Sequence, residues 1–486
     1  MGTRSFLLLC AGSLVAAVPD GSTEPFTGSS RLVVEWNQRG VDAQAAGRLK
    51  EASDALRTAE ALCKGEQSLC ASVWNNLGSV LYQQGSFAEA RILIQKALDY
   101  FRPKGDDASR ASALGNLAAT ERGLGRFAES RVLYREALDL RAALYGATDS
   151  RTLMTLDGMA LLGYESGDYK LGEALARREL ELVGAVNPGL ELARAQLALA
   201  LNLRGQGRVD QAVEFLEQVV KSRERILGTR HVLLAEAFNG LGFAQRQQGR
   251  IAEAAASYQR ALVIFRDAGC DNILPKIWNN LAQLAIGRRN DEATRNFELA
   301  VATLDRSKTV SAAMSVIYSN YATFLLANRE YAKAQKIARR NLEVDRANGS
   351  PATRIGFDLG RAGLAAHGLR NLREASALLG QALEILNTYT GEDLDDKGVF
   401  ALVLGGIRHK EKDFAGEADC YKVAIESLRS VWGEGSSRYL GLIRLRAQAL
   451  RQAGEFGEAA KVEDVALRTE YGLAMRASSK ATSRKD

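Results

Sequence analysis

At 486 residues the chain is longer than one compact core usually serves, so length alone divides it into about three domains. Hydrophobic residues at 46% and charged residues at 25% match an ordinary soluble protein, and only six prolines among abundant Leu, Ala, Glu, Arg and Gln favour helix. The net charge of +6 comes from 64 basic and 58 acidic residues whose signs are interspersed, apart from Lys480, Arg484 and Lys485, which argues against a nucleic-acid binder.

The chain opens with a basic start at Arg4 and an apolar run from Ser5 to Val18, followed by Pro19-Asp20-Gly21-Ser22. Fourteen residues are too few to span a bilayer, and the run has the length of an export signal. Residues 1–18 are therefore expected to be a signal peptide and 19–30 a linker, which places the protein in a periplasm or outside the cell. A cytoplasmic location is the alternative. Cys10 lacks the preceding small residues that lipid attachment needs. No later run of 18 apolar residues exists, so the mature chain is not expected to enter a membrane. Cys63 and Cys70 flank a short turn between two expected helices and could pair in an oxidising compartment, although two independent thiols fit as well. Their spacing matches no zinc site.

From about residue 31 the chain repeats itself. Trp74-Asn75-Asn76-Leu77-Gly78 returns as Trp278-Asn279-Asn280-Leu281-Ala282, and QQGSFAEARILIQKAL returns with changes ending at Leu138 and Leu262. One turn position falls on Gly47, Gly85, Gly125, Gly167, Gly207 and Gly249. It continues at Arg289, Arg329, Arg370 and Lys412, and returns at Gly454, in steps of 38 to 42 residues. A second glycine series, including Gly105, Gly146, Gly228 and Gly433, keeps the same rhythm. Two turns per period describe a helix–turn–helix unit, and Leu77, Val80, Leu81, Phe87, Ala90 and Ile94 follow helical steps on either side of Gly85. Neither helix can hide its apolar stripe alone, so units must stack. Gly78 and Ala90 are expected where the two helices cross closely.

With Trp74, Leu77, Gly78, Ala90, Ile94 and Ala97 at signature spacing, the sequence resembles the tetratricopeptide repeat family. The long period resembles the variety found in kinesin light chains. The resemblance spans residues 31–470 and implies an all-α, right-handed solenoid of about eleven helix pairs. Residues 471–486 are expected to form a disordered basic tail. The chain departs from the family pattern in its missing closing prolines, in the lost turn glycines of units seven to ten, and in Glu417 where Ala90 would align.

In that family the first helix of each pair lines a concave face where peptides lie. The resemblance places there Asn37, Asn75, Asn76, Ser79, Tyr82, Asn116, Asn239, Asn279, Asn280 and Asn320, with Arg122, Arg204, Arg246 and Arg361. Amides can hold the backbone of an extended peptide, and arginines its acidic groups. The competing reading is that the asparagines tie one helix to the next. His231, His367 and His409 lie in separate units, and GxxxxGK[ST], GxSxG and HExxH motifs are absent from the sequence. The expectation is a binding protein, not an enzyme, with no cofactor and a protein or peptide partner. A regulatory or sensory module, or a structural subunit of a cell-envelope complex, is the alternative. The oligomeric state is left open.

Overall fold

The computed structural model describes residues 28–482 except 64–66, 185–188, 307–311, 348, 392 and 435. The expected signal peptide, most of the linker and Cys10 lie outside the described residues. Among these there are 22 α-helices and no strand, so the all-α repeat architecture stands as expected. No described helix is long and apolar enough to cross a membrane.

The chain divides into two units at residues 314 and 315. The N-terminal unit pairs α1 (Gly28–Ala45) with α2 (Leu49–Leu62), α3 (Gln67–Gln83) with α4 (Phe87–Phe101), and α5 (Asp107–Gly123) with α6 (Phe127–Tyr145). It continues with α7 (Ser150–Ser166) and α8 (Tyr169–Gly184), α9 (Leu190–Gly205) and α10 (Val209–Leu227), α11 (Val232–Gln247) and α12 (Ile251–Asp267), and α13 (Leu274–Ala285) and α14 (Asn290–Arg306). The C-terminal unit holds α15 (Ala312–Ala327) and α16 (Tyr331–Ala347), α17 (Ala352–Gly368) and α18 (Leu372–Ile385), α19 (Leu394–Glu411) and α20 (Phe414–Trp432), and α21 (Ser437–Gln452) and α22 (Phe456–Thr482). Helix α22 continues through Thr482, so the segment expected to be a disordered tail from 471 is helical to that point.

Each pair turns through a residue in the left-handed region. Gly85 has φ 80° there, and Arg329, Arg370 and Lys412 adopt φ of 61°, 62° and 63° in its place. In the seventh pair the residue is Gly287 at φ 75°, not Arg289 as the spacing suggested. The shorter α13 turns early, and Asn290 closes the turn by accepting from the Gly287 amide at 2.9 Å. Inside a pair the helices touch closely. A Cβ on Gly78 would lie 2.4 Å from Ile94 Cγ1 and 3.2 Å from the Ala90 carbonyl, as the small-residue pattern predicted. Leu77, Ile94 and Leu98 are buried around this crossing, each contributing about 1.5–3 kcal/mol on burial.

The N-terminal unit also closes on itself. One apolar cluster joins the first three pairs to Val232, Phe243, Ile273 and Ile277 of pairs six and seven, while the core of pairs four and five is largely a cluster of its own. Three polar contacts seal this closure. His231 Nε2 meets the Ala45 carbonyl at 3.1 Å, Asn272 Nδ2 donates to Ser86 Oγ at 2.9 Å, and the Lys50 amide donates to the Ala268 carbonyl at 3.3 Å.

Candidate partner-binding face

In the N-terminal unit the expected grip residues face their own neighbours. Asn76 Nδ2 donates to Asn37 Oδ1 at 3.0 Å, Asn116 Nδ2 to Asn75 Oδ1 at 3.1 Å, Asn75 Nδ2 to Ser112 Oγ at 3.3 Å, and Asn280 Nδ2 to Asn239 Oδ1 at 3.2 Å. Asn75 is 0% exposed, and Asn37, Asn76, Asn279 and Asn280 are also buried. Ser79 Oγ accepts from Gln44 Nε2 at 3.0 Å. An amide in the interior needs a partner, and an asparagine one column earlier in the preceding repeat supplies it. These bonds fit the competing reading in this unit. The row pins helix to helix.

The arginines continue the pattern. Arg122 Nη2 donates to Tyr82 Oη at 2.7 Å and Nη1 lies 2.8 Å from Glu165 Oε1, with both charged groups buried. Glu165 is pushed above the usual carboxylate range by burial, against the pull of Arg122 and then Lys276 of α13. Arg204 bonds to Tyr164 Oη and lies 4.0 Å from the centre of the Phe243 ring. Burial lowers its pKa to about 9. Arg246 stacks on the same ring at 4.9 Å. Positions 82, 122, 164, 204 and 246 are thus one ladder of phenols and guanidiniums, recurring with the repeat and facing inward.

Sequence reasoning missed the charges of the fourth and fifth pairs. Asp157 stands where Asn37 and Asn75 stand, and Glu179 where Ala97 and Ala137 stand; both are buried. Neither Glu179 carboxylate oxygen has a hydrogen-bond partner, and burial, then the neighbouring Asp157, raises its pKa well above normal. Aligning the repeats position by position would have exposed both as charges in core columns.

The C-terminal unit treats the same columns differently. Counted from the turn, Ser79 and Tyr82 correspond to Leu364 and His367 on α17, Gly406 and His409 on α19, and Gln448 and Arg451 on α21. Leu402 and Arg444 take the Asn75 column, and Leu445 takes that of Asn76. Leu364, His367, Leu402 and Gly406 are half-buried, His409, Arg444 and Gln448 are exposed, and Leu445 is 42% exposed. A Cβ on Gly406 would meet no atom within 4 Å. Arg361, an expected grip residue, is held instead by Asp396 at 3.0 Å, Thr323 at 3.2 Å and Asp358 at 3.6 Å. Asn320 is half-buried and engaged with neighbours. Glu417, which breaks the alanine column, is buried with its Oε2 3.0 Å from His409 Nδ1.

Comparison with known proteins agrees on the repeat. The tetratricopeptide repeat model matches residues 33–107, 109–183 and 191–267, taking in the first six helix pairs. No curated protein matches the chain in sequence. Among solved structures, a tetratricopeptide repeat protein from Parabacteroides merdae is 17% identical, covers 60% of this chain and 98% of its own, and gives a TM-score of 0.37. Kinesin-light-chain-like repeats from Podosopora anserina are 21% identical over 41% of this chain and 96% of theirs, with a TM-score of 0.31. The apo quorum sensor NprR from B. thuringiensis is 13% identical over 71% of this chain and 97% of its own, with a TM-score of 0.48.

Proposed function

Given that its first six helix pairs match the tetratricopeptide repeat model and the later ones keep the same paired-helix pattern, we propose that the protein is a scaffold that binds other proteins through the first helices of its C-terminal unit. The observation that carries this reading is the contrast within one set of columns. Positions filled by buried, mutually bonded polar groups in the N-terminal unit are filled by accessible Leu364, Leu402 and Leu445 in the C-terminal unit. Half-exposed leucines one repeat apart form a ladder for the apolar side of a helix or an extended segment. Beside them Arg444 and Arg451 pair with Glu470 and Glu463, so the flank presents both signs of charge. The segment would therefore be amphipathic, with its apolar residues on the leucines.

The same proposal places the protein in an oxidising compartment. Support comes from the apolar N-terminal run and from Cys63 and Cys70, whose Sγ atoms are bonded at 2.02 Å.

The test is capture with the tagged full chain in its native compartment, comparing wild type with Leu402→Glu plus Leu445→Glu. The double substitution should remove at least one stoichiometric partner, weakening capture by about tenfold or more, with helical circular dichroism unchanged. Equal recovery of every partner would overturn the reading. Sequencing the mature N-terminus in the same sample decides export.

A further inference from the structure

Where the N-terminal unit closes on itself, the seam forms a half-open pocket of about 810 Å³. Its walls come from α1 and α2 on one side and from the ends of α10 and α12 with the loop before α11 on the other. That volume suits a small organic molecule. The cavity shares no residue with the leucine columns of the C-terminal unit, so nothing in the proposed scaffold role accounts for it.

Four cationic side chains line the cavity, Arg39, Arg48, Lys50 and Arg230, against three carboxylates. Two of these carboxylates are already answered. Glu51 lies 2.9 Å from Arg48 and 3.8 Å from Arg39, and Asp267 lies 3.5 Å from Arg266. The side chains of Lys50 and Arg230 have no hydrogen-bond or ion-pair partner among the described residues. They come from opposite walls. Trp36 adds a flat apolar surface, with the Arg39 guanidinium 5.0 Å from its ring centre.

His231 adds no charge to the lining. Its Nδ1 accepts the Leu233 amide at 3.2 Å, so Nε2 carries the proton and donates to the Ala45 carbonyl. Burial, and then Arg223 of α10, lowers its pKa and keeps it neutral. It closes the seam and leaves Lys50 and Arg230 as the unanswered cations.

We propose that this seam binds a small flat organic anion, a ring carrying a carboxylate, sulfonate or phosphate group. The ring lies against Trp36 and the anionic group bridges Lys50 and Arg230. Because the ligand touches both walls, its binding favours the closed turn by linkage. Asp54, the remaining carboxylate, has no side-chain partner among the described residues and disfavours ligands of higher charge.

The test uses 8-anilinonaphthalene-1-sulfonate as the probe, titrated against the full chain at low salt and followed by fluorescence. Wild type should bind one equivalent, and Lys50→Glu plus Arg230→Glu should weaken that affinity by about tenfold or more. Neither residue has an internal side-chain partner, so circular dichroism should show the variant folded. Arg230→Gln alone, in a loop, should give an intermediate loss and serves if the double variant does not fold. Trp36→Ala should weaken binding as well, and the uncharged N-phenyl-1-naphthylamine should not compete. Affinity unchanged by the charge reversals, or equal competition by the neutral analogue, would overturn the proposal. Partner capture through the leucine columns is read separately, so failure of one leaves the other standing.

Discussion

The two units share a repeat and differ in what they do with its first helix. In the N-terminal unit Asn75, Asn76, Tyr82 and Arg122 are buried and answered one repeat away. In the C-terminal unit the same columns hold Leu402, Leu445, His409 and Arg451, which reach solvent in whole or in part. The lesson is that a repeat position carries no fixed role. A polar side chain there serves the fold when the unit closes over it, and an apolar one is left partly exposed when it does not.

The sharpest way to break this comparison is to remove a guanidinium from the same column in each unit. Arg122→Ala removes the closer of the two buried cations that answer Glu165, leaving Lys276, and should cost about 3–5 kcal/mol in urea unfolding of the N-terminal unit. Arg451→Ala removes an exposed, solvent-screened pair with Glu463 and should leave the unfolding midpoint unchanged within error. Similar losses at both sites would erase the distinction.

The asparagines come next. Asn75→Ala plus Asn279→Ala should lower stability by about 2–4 kcal/mol, through unanswered polar atoms, while partner capture is retained. Loss of capture with stability intact would return the grip to the N-terminal unit.

A pH effect sharpens the contrast from the other side. Asp358 on α17 has its pKa pushed up to about 7 by burial, against the pull of Arg361, with Asp345 adding to the rise. The unfolded chain holds this group near the ordinary aspartate value of 3.8, so the folded state prefers it protonated. That preference stabilises the C-terminal unit fully below about pH 4 and is lost as pH rises through 7. The midpoint of thermal unfolding of this unit should therefore fall from pH 5 to pH 8, and Asp358→Asn should flatten the fall, a change of roughly 1–4 kcal/mol. A midpoint that rises over this range would show that the carboxyl is ionised in the folded state.

Much of the fold could be read from the sequence because turns and crossings are backbone requirements. A left-handed residue is needed after each first helix, and glycine meets that need most cheaply. The seventh turn was placed on Arg289 because fixed spacing ignores a shortened helix, and Gly287 does the job instead. The site was less legible. Spacing puts Asn75 and Asn76 in the right columns, but it cannot say whether a column faces solvent, since that depends on residues some two hundred positions away closing over it. Contacts such as His231 with Ala45 leave no trace in a periodicity of about forty. Glu417 looked like a defect in an alanine column, yet it is answered by His409, whereas Glu179 in a like column has no hydrogen-bond partner.

The most direct test places one thiol in the same column of each unit. Ser79→Cys and Gly406→Cys are labelled in the native state with a small maleimide, against Cys270 and Cys420, which are both buried. Gly406→Cys should react at close to the rate of an unfolded thiol and Ser79→Cys at least about a hundredfold more slowly. Equal rates at the two positions would contradict the account.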